Sequence, residues 1–496
     1  MSSCNFYPVG VHNLAINSRF TSFFKWRFNK SSLRNAALHC SLDCTMFGTS
    51  KSVKFISSKG ECRKRSKPHT PNTEETEDNT PKKQRKLDEH AELSPPSIAQ
   101  ATTCTCPNSN TVISLGLWFP SGEQSIPFAP TFTHQIFDDE RLCVKPASRA
   151  KLYYAALSLD CYYVFVEGQD DDKSSNKPLE CPENHCRKDN ILKQLTARQV
   201  LPSAPITQLS DFKTILTTQI ELPGEIVHRF DQTVQSSAPQ KFVIRRLKMT
   251  DPASRAYFDR LQRFSLMFID GAELVSLTDH RWSVLVVFQA NLMGIETSVV
   301  GYTTLFSFWN PTRTTQPRTV RVCQALVLPP FQQRGIGSRM LQLVYKDAAA
   351  DAEVLEVNVE DPCPGFQHMR DVLDVSRCMD LGLLSVADTP PHRLRNLLKI
   401  SPRQAVRCIE ILKLSSVDKE ASEEYKQYRL FVKKRLYHEN LCELKTKKSD
   451  QLKRWLANVY NDLEQKYDKV LTSVVKRRAK QRQQVDEKTD GAIEVE

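Results

Sequence analysis

The stretch VRVCQALVLPPFQQRGIGS, residues 320–338, decides the fold. Val320 to Leu328 is an apolar, β-branched run that predicts a strand, and Pro329-Pro330 ends it. Gln332-Gln333-Arg334-Gly335-Ile336-Gly337-Ser338 then makes a glycine-bearing turn into Met340, Leu341, Val344, Tyr345 and Ala348, the apolar stripe of a helix. Glycines at 335 and 337 let successive backbone N–H groups turn inward with no Cβ in the way. The helix N-terminus adds partial positive charge, so the turn can cradle a pyrophosphate, with Arg334 placed to screen it. The plainer reading is punctuation, because glycine turns join many strands to helices.

The flanks of this turn predict a mixed sheet. Asp251 and Pro252 supply an N-cap and a first-turn proline to a helix whose Tyr257, Leu261, Phe264 and Phe268 recur at helical spacing. A short strand, Lys241 to Leu247, precedes it. Ser283 to Gln289, Glu296 to Trp309 and Val320 to Leu328 then read as an antiparallel meander. Val354 to Glu360 alternates, with Leu355, Val357 and Val359 on one face and Glu356, Asn358 and Glu360 on the other. Strand, turn, helix and strand in this order give a parallel crossover.

Further out, Val112 to Phe119, Leu152 to Val166 (strand or helix) and a helical Asn190 to Gln199 predict a small mixed domain ending near Leu222-Pro223-Gly224. Beyond Leu398 the pattern is helical. Ser401-Pro402 opens one helix and Glu423 to Leu436 continues the theme. Leu452, Leu456, Val459, Leu463, Tyr467, Val470 and Val474 stripe a long helix, whose basic end, Lys476 to Arg482, reads as a solvated terminus. The fold class is therefore α+β, with domains at 106–222, 223–398 and 399–478. A basic N-terminal segment, 1–105, and a tail, 479–496, read as disordered by composition.

A chain of 496 residues has room for two or three folded units, and 40% hydrophobic content supplies their cores. No run approaches the ~20 apolar residues of a membrane span. The formal charge of +12 fits nucleic acid, an anionic cofactor or basic tails. Arg63-Lys64-Arg65 and Lys82-Lys83-Gln84-Arg85-Lys86 have the arrangement of a two-part nuclear import signal, which points to nucleus and cytoplasm. Residues 1–42 carry Arg and Lys but no Asp or Glu, a composition that also suits a mitochondrial transit peptide. Fifteen cysteines without repeated spacing fit reduced thiols. Cys181, His185 and Cys186 cluster but lack a second ligand pair, so no metal is expected there.

No Gly-Lys-Ser/Thr follows the cradle, which excludes a Walker loop, and a meander before it excludes a dinucleotide fingerprint. A coenzyme A pyrophosphate remains. Gln-x-x-Gly-x-Gly after such a strand resembles the acetyl-coenzyme A loop of the GNAT superfamily. Phe331-Gln332, Val300-Gly301-Tyr302, Arg281-Trp282, Phe132-Thr133-His134-Gln135-Ile136-Phe137 and Val359-Glu360-Asp361-Pro362 more closely resemble the catalytic subunits of type B histone acetyltransferases. The resemblance covers residues 106–478, is weakest across 167–186, and leaves the N-terminal hundred residues unexplained. It implies a GNAT-type mixed sheet between an N-terminal mixed α/β domain and a helical C-terminal region, with the acetyl donor lying across the sheet.

The resemblance also implies roles. Ala325, Leu326 and Val327 would pair their backbone with the pantetheine arm, Gln332, Gln333, Arg334, Gly335, Ile336, Gly337 and Ser338 would hold the pyrophosphate, and Phe366 would sit near the thioester. Glu360 becomes the general base with Asp361 beside it, and Asp270 stands on the helix before Arg281-Trp282 where a glutamate is more usual. Asp138, Asp139 and Glu140 match one histone-contact region and Phe306, Ser307 and Phe308 the other, with Trp282 as a further wall. Read as residues alone, these positions are also ordinary core, turn and strand.

The chemistry agrees with the roles. Neutralising a lysine of pKa ~10.4 at pH 7 requires about 4.6 kcal/mol. A strand-end carboxylate, partly desolvated so that its pKa nears neutrality and raised further by Asp361, can accept that proton directly or through water. Direct transfer needs no nucleophilic cysteine, which leaves Cys363 a bystander. The implied donor is acetyl-CoA, without a metal. The implied acceptor is newly synthesised histone four, with its histone-three partner admitted, and a WD-repeat histone chaperone is the expected subunit. Neither a membrane nor sequence-specific DNA is expected as a partner. The competing readings are a GNAT enzyme for another protein or a small amine, and a non-catalytic nuclear protein that binds histones or nucleic acid.

Overall fold

Eleven strands carry the architecture of the computed structural model, which describes residues 106–168, 181, 185–232, 239–382 and 390–493. They are β1 (Ile113–Trp118), β2 (Leu142–Cys143), β3 (Arg149–Ala155), β4 (Cys161–Val166), β5 (Cys186–Arg187), β6 (Glu225–Gln232), β7 (Gln240–Lys248), β8 (Trp282–Ala290), β9 (Glu296–Trp309), β10 (Arg318–Val327) and β11 (Val354–Val359). The longer helices are α1 (Lys188–Ala197), α2 (Leu209–Thr217), α3 (Pro252–Leu261), α4 (Ile336–Ala350), α5 (Pro364–Asp380), α6 (Pro391–Leu398), α7 (Pro402–Ser416), α8 (Ser422–Glu439) and α9 (Ser449–Ile493).

The central sheet has six strands in the order β11-β10-β9-β8-β7-β6. Neighbours from β6 to β10 run antiparallel, and β10 pairs with β11 in parallel through the α4 crossover. The expected meander is present, extended by β6, a stretch of the 223–398 domain to which the sequence reading assigned no strand. Its pattern EIVHRFDQ is mostly exposed, as befits an edge, and only Phe230 is buried, stacked on Phe242 at 5.2 Å. Val284 to Phe288 in β8 is covered on both faces. Burying each such side chain stabilises the sheet by about 1.5–3 kcal/mol.

Asp251 caps α3 as expected, accepting from the N–H groups of Ala253 and Ser254. The apolar period continues past Leu261, but as a 3-10 turn, Gln262–Phe264, and one further helical turn, Ser265–Phe268. Leu152 to Val166 proves to be two strands. β3 and β4 pair antiparallel about a turn containing Leu159 at φ 66°, and β1 lies parallel to β3. Backbone bonds from Val299 to Ala156 (2.7 Å) and from Thr131 to Met267 (2.9 Å) fasten this layer to the central sheet.

In the C-terminal layer, Ser401 caps α7, and the apolar stripe of α9 buries Tyr467, Val470 and Val474. Glu410 of α7 is the polar weld. Its carboxylate is fully buried and accepts from Arg435 Nε (2.6 Å), Arg435 Nη2 (2.9 Å) and Tyr467 Oη (2.7 Å), so α7, α8 and α9 share one charge. Two expectations are corrected here. Helix α9 runs to Ile493, past the start assigned to a disordered tail, through residues rich in helix-forming Lys, Gln and Glu. Arg477, assigned to a solvated terminus, is turned inward instead. The basic clusters at 63–65 and 82–86 and the N-terminal segment lie outside the described residues.

Candidate active site

The site begins with a bulge. The register of β10 against β9 shifts between Val322 and Gln324, leaving Cys323 as the extra residue. The Thr304 hydroxyl accepts from the Gln324 N–H at 2.9 Å, and the Thr303 hydroxyl donates to the Gln324 carbonyl at 2.8 Å. Gly301 completes the approach, because a Cβ there would collide with the Leu326 carbonyl. Pairing with β11 ends at Val322, whose carbonyl takes the Glu360 N–H at 2.9 Å. Beyond it β10 continues alone on that side. Since Gln324 and Leu326 face β9, strand alternation turns the backbone of Ala325 and Val327 into the gap. The Val327 carbonyl is held there by the Gln332 amide at 2.8 Å.

At one rim of the gap lies the glycine turn. Gln333 (φ 61°) and Gly335 (φ 77°) are left-handed, and no side chain caps α4. The first-turn amides from Ile336 therefore form an anion-binding nest. Gly337 serves packing as well, since a Cβ there would lie 3.2 Å from Met369 Sδ on α5. Arg334 keeps its charge at this turn and is also structural. Its guanidinium donates to Gln240 Oε1 (2.8 Å) and the Pro330 carbonyl (2.7 Å), bracing the turn against β7. Arg339, on α4, and Arg477, from α9, add positive charge near the turn. Arg477 Nη1 donates to Ser338 Oγ at 3.1 Å, and burial, then the charge of Arg339, lowers its pKa. Sequence reasoning missed Arg477 because nothing in a basic terminal run says which arginine faces inward.

At the other rim stands Glu360. Trp282, Phe306, Arg321 and Asn358 are successive cross-strand neighbours and so share one face, and Glu360 follows two residues after Asn358. Trp282 meets Phe306 edge-on at 4.7 Å, Phe306 meets Phe308 at 4.6 Å, and the Arg321 guanidinium sits 4.5 Å from the Phe308 ring. Arg321 Nη1 reaches Glu360 Oε1 at 3.7 Å. Ser307 is on the opposite face by strand alternation, which separates it from the two phenylalanines grouped with it. The Glu360 carboxylate is 48% exposed. Asp361 is exposed in a turn at φ 30°, and Phe366, half-buried, opens α5 just beyond. Burial, reinforced by Glu360, pushes the Cys323 thiol up, which keeps it protonated.

Asp270 lies past the last helical turn rather than on it, exposed, with its carboxylate 3.1 Å from His134 Nε2. Its loop is tethered over the Glu360 face, because Gln324 Nε2 donates to the Glu273 carbonyl at 2.9 Å. The acidic triplet is divided. Asp138 and Asp139 point outward, whereas Glu140 turns in and accepts from the N–H groups of Thr133 (2.7 Å) and His134 (3.1 Å). The Thr133 bond, foremost, holds the Glu140 carboxyl below its usual range.

Residues 105–270 match a family model described as the N-terminus of histone acetyl transferase HAT1, and residues 259–362 match the acetyltransferase (GNAT) family. The histone acetyltransferase type B catalytic subunit of Homo sapiens is 30% identical over 345 residues, covering 66% of this chain and 79% of that one. The chain belongs to this family. The type B catalytic subunit of Kluyveromyces lactis is 27% identical, covering 75% of this chain and 93% of its own; that of Mus musculus is 30% identical, covering 72% and 87%.

A type B catalytic subunit is an acetyltransferase of the GNAT superfamily, and GNAT enzymes use acetyl-coenzyme A. The residues present fit that donor. Uncapped amides at Ile336, Gly337 and Ser338 suit a diphosphate, Arg339 and Arg477 supply positive charge beside it, and the gap-facing backbone at Ala325 offers the hydrogen bonds of an unpaired strand edge.

Proposed function

We propose that the chain acetylates lysine ε-amino groups in the N-terminal tail of newly synthesised histone four, before the histone is assembled into chromatin. One observation carries this reading: the gap between β10 and β11 has an uncapped, glycine-led helix N-terminus at one rim and Glu360 at the other, with the Trp282, Phe306 and Phe308 row on the same face as that carboxylate. The donor's thioester supplies the activated carbonyl. Glu360 removes the proton whose loss costs the lysine about 4.6 kcal/mol at pH 7. An incoming ammonium replaces Arg321 as its partner, while the rings pack the aliphatic stem. Asp138 and Asp139, facing outward, suit a basic tail. A histone-three partner, a WD-repeat chaperone subunit, and residence in nucleus and cytoplasm belong to the same proposal.

The test is mass spectrometry of histone-four tail peptides, with polyamines and an unrelated basic peptide in parallel, after incubation with acetyl-CoA and the full chain. Site-restricted acetylation of the histone peptide supports the reading. Equal turnover of polyamines, or of every basic peptide, rejects it.

A further inference from the structure

Away from the gap, the described residues bring together sulfur and nitrogen donors from three distant parts of the chain. Cys106 Sγ lies 3.6 Å from Cys181 Sγ, and Cys181 Sγ lies 3.2 Å from His185 Nδ1. The ligand atoms of Cys106, Cys181 and His185 all lie within 4.8 Å of one another, and Cys143 packs with Cys106 and Cys181 in a core patch of its own. All four residues are buried. Cys186, which the sequence groups with Cys181 and His185, stays half-buried outside the cluster, its thiol directed to the Arg187 carbonyl at 3.7 Å.

We propose that Cys106, Cys143, Cys181 and His185 form a structural zinc site of the Cys3His type. Tetrahedral zinc with Zn–S of about 2.3 Å and Zn–N of about 2.0 Å separates its ligand atoms by about 3.5–3.8 Å. Among Cys106, Cys181 and His185 the observed 3.6 and 3.2 Å need only small adjustments to reach that spacing, and Cys143, packed against both other thiols, is the side chain that would move in as the fourth ligand. A disulfide would need its sulfurs at about 2.05 Å. Three thiols with one imidazole are soft donors that select zinc over calcium or magnesium. Binding releases three thiol protons to solvent and forms three Zn–S bonds and one Zn–N bond, leaving a net charge of minus one. Arg141 and Arg187 adjoin this charge. Arg141 Nη1 donates to the Cys106 carbonyl at 2.7 Å, and the charge of Arg187 acts on Cys143.

The fold supplies a reason for such a staple. Strands β2 and β5 pair over only Leu142 with Cys186 and Cys143 with Arg187. Two residues a side cannot hold a sheet unaided. Zinc would bind Cys143 on β2 and His185 at the entrance to β5, and tie both to Cys106. The same knuckle carries the Leu142 N–H bond to the Pro107 carbonyl at 3.1 Å and adjoins the Asp138–Glu140 turn. The metal would therefore anchor the wall that bears His134 and the outward acids, with no part in the acyl chemistry.

The test uses the full chain, purified without chelators and under reducing conditions, with zinc counted by elemental mass spectrometry. The expected result is one zinc per chain, falling below a tenth of that in C143S and H185A and unchanged in C186S. Where those variants fail to fold, cobalt exchanged into the unmutated chain decides, through thiolate-to-cobalt charge transfer and the intense visible bands of a tetrahedral centre. Less than a tenth of a zinc in folded protein, octahedral cobalt bands, or a Cys106–Cys181 disulfide in non-reducing peptide maps would each overturn the proposal.

Discussion

Arg477, on the last helix, donates its Nη1 to the hydroxyl of Ser338, in the first turn of the helix behind the glycine cradle, at 3.1 Å. The C-terminal layer thus reaches the site itself. Arg477 is partly buried beside a second guanidinium, Arg339, with Asp380 as an opposing charge. A phosphate at the cradle would relieve that repulsion. Arg477→Ala is expected to raise the KM for acetyl-CoA roughly tenfold or more, the ~1.5–3 kcal/mol of a hydrogen bond to a charged group, with kcat little changed. Initial-rate kinetics at varied donor concentration check it, and an unmoved KM removes Arg477 from the donor site.

Glu360→Gln keeps the side chain's size and removes its basicity. Turnover should fall by about 10²–10⁴, the usual worth of a general base, while donor affinity measured by calorimetry stays within about twofold. Unchanged turnover would transfer the role to another group, with Asp270 over the same face as the first to examine.

Glu410 is the charge on which three helices agree, so Glu410→Ala leaves Arg435 and Tyr467 without their shared acceptor. The expected loss is about 3–5 kcal/mol, as for other broken buried pairs. Urea unfolding followed by circular dichroism would report it as a lowered midpoint. A shift equivalent to less than about 1 kcal/mol would show that the weld contributes little beyond what packing already provides.

The Glu140 carboxyl titrates below its ordinary 4.5 because the folded chain bonds its charged form, first through the Thr133 N–H. Its stabilisation is therefore complete above pH 4.5 and disappears as the pH falls through the lower folded value. Protection of the Thr133 and His134 amides, referred to the intrinsic exchange rate at each pH, should fall in that window before that of the β3 amides does. Protection that persists unchanged to pH 3 would contradict the assignment.

Much of this was open to a reader of the sequence. The meander, the crossover, the capped helices at Asp251 and Ser401 and the strand-turn-helix at Gly335 follow from periodicity and turn chemistry, which are local and so survive without knowledge of neighbours. Strand β6 was illegible because an exposed edge strand carries little alternation. Ser307 was grouped with Phe306 and Phe308 because family contact regions are contiguous in sequence, whereas a pleated strand sends neighbours to opposite faces.

Composition and periodicity were enough for the meander with its crossover, the glycine turn, and a carboxylate at the end of the last sheet strand. Tertiary structure alone decided which charges meet. Arg334 turned to brace β7 while Arg477 came in from the far end of the chain, and Glu140 folded inward while Asp138 and Asp139 stayed out. Cys106 and Cys181 met across 75 residues. Local propensity acts over a few residues along the backbone, but electrostatics and metal ligation act through space, and only the folded chain fixes those distances.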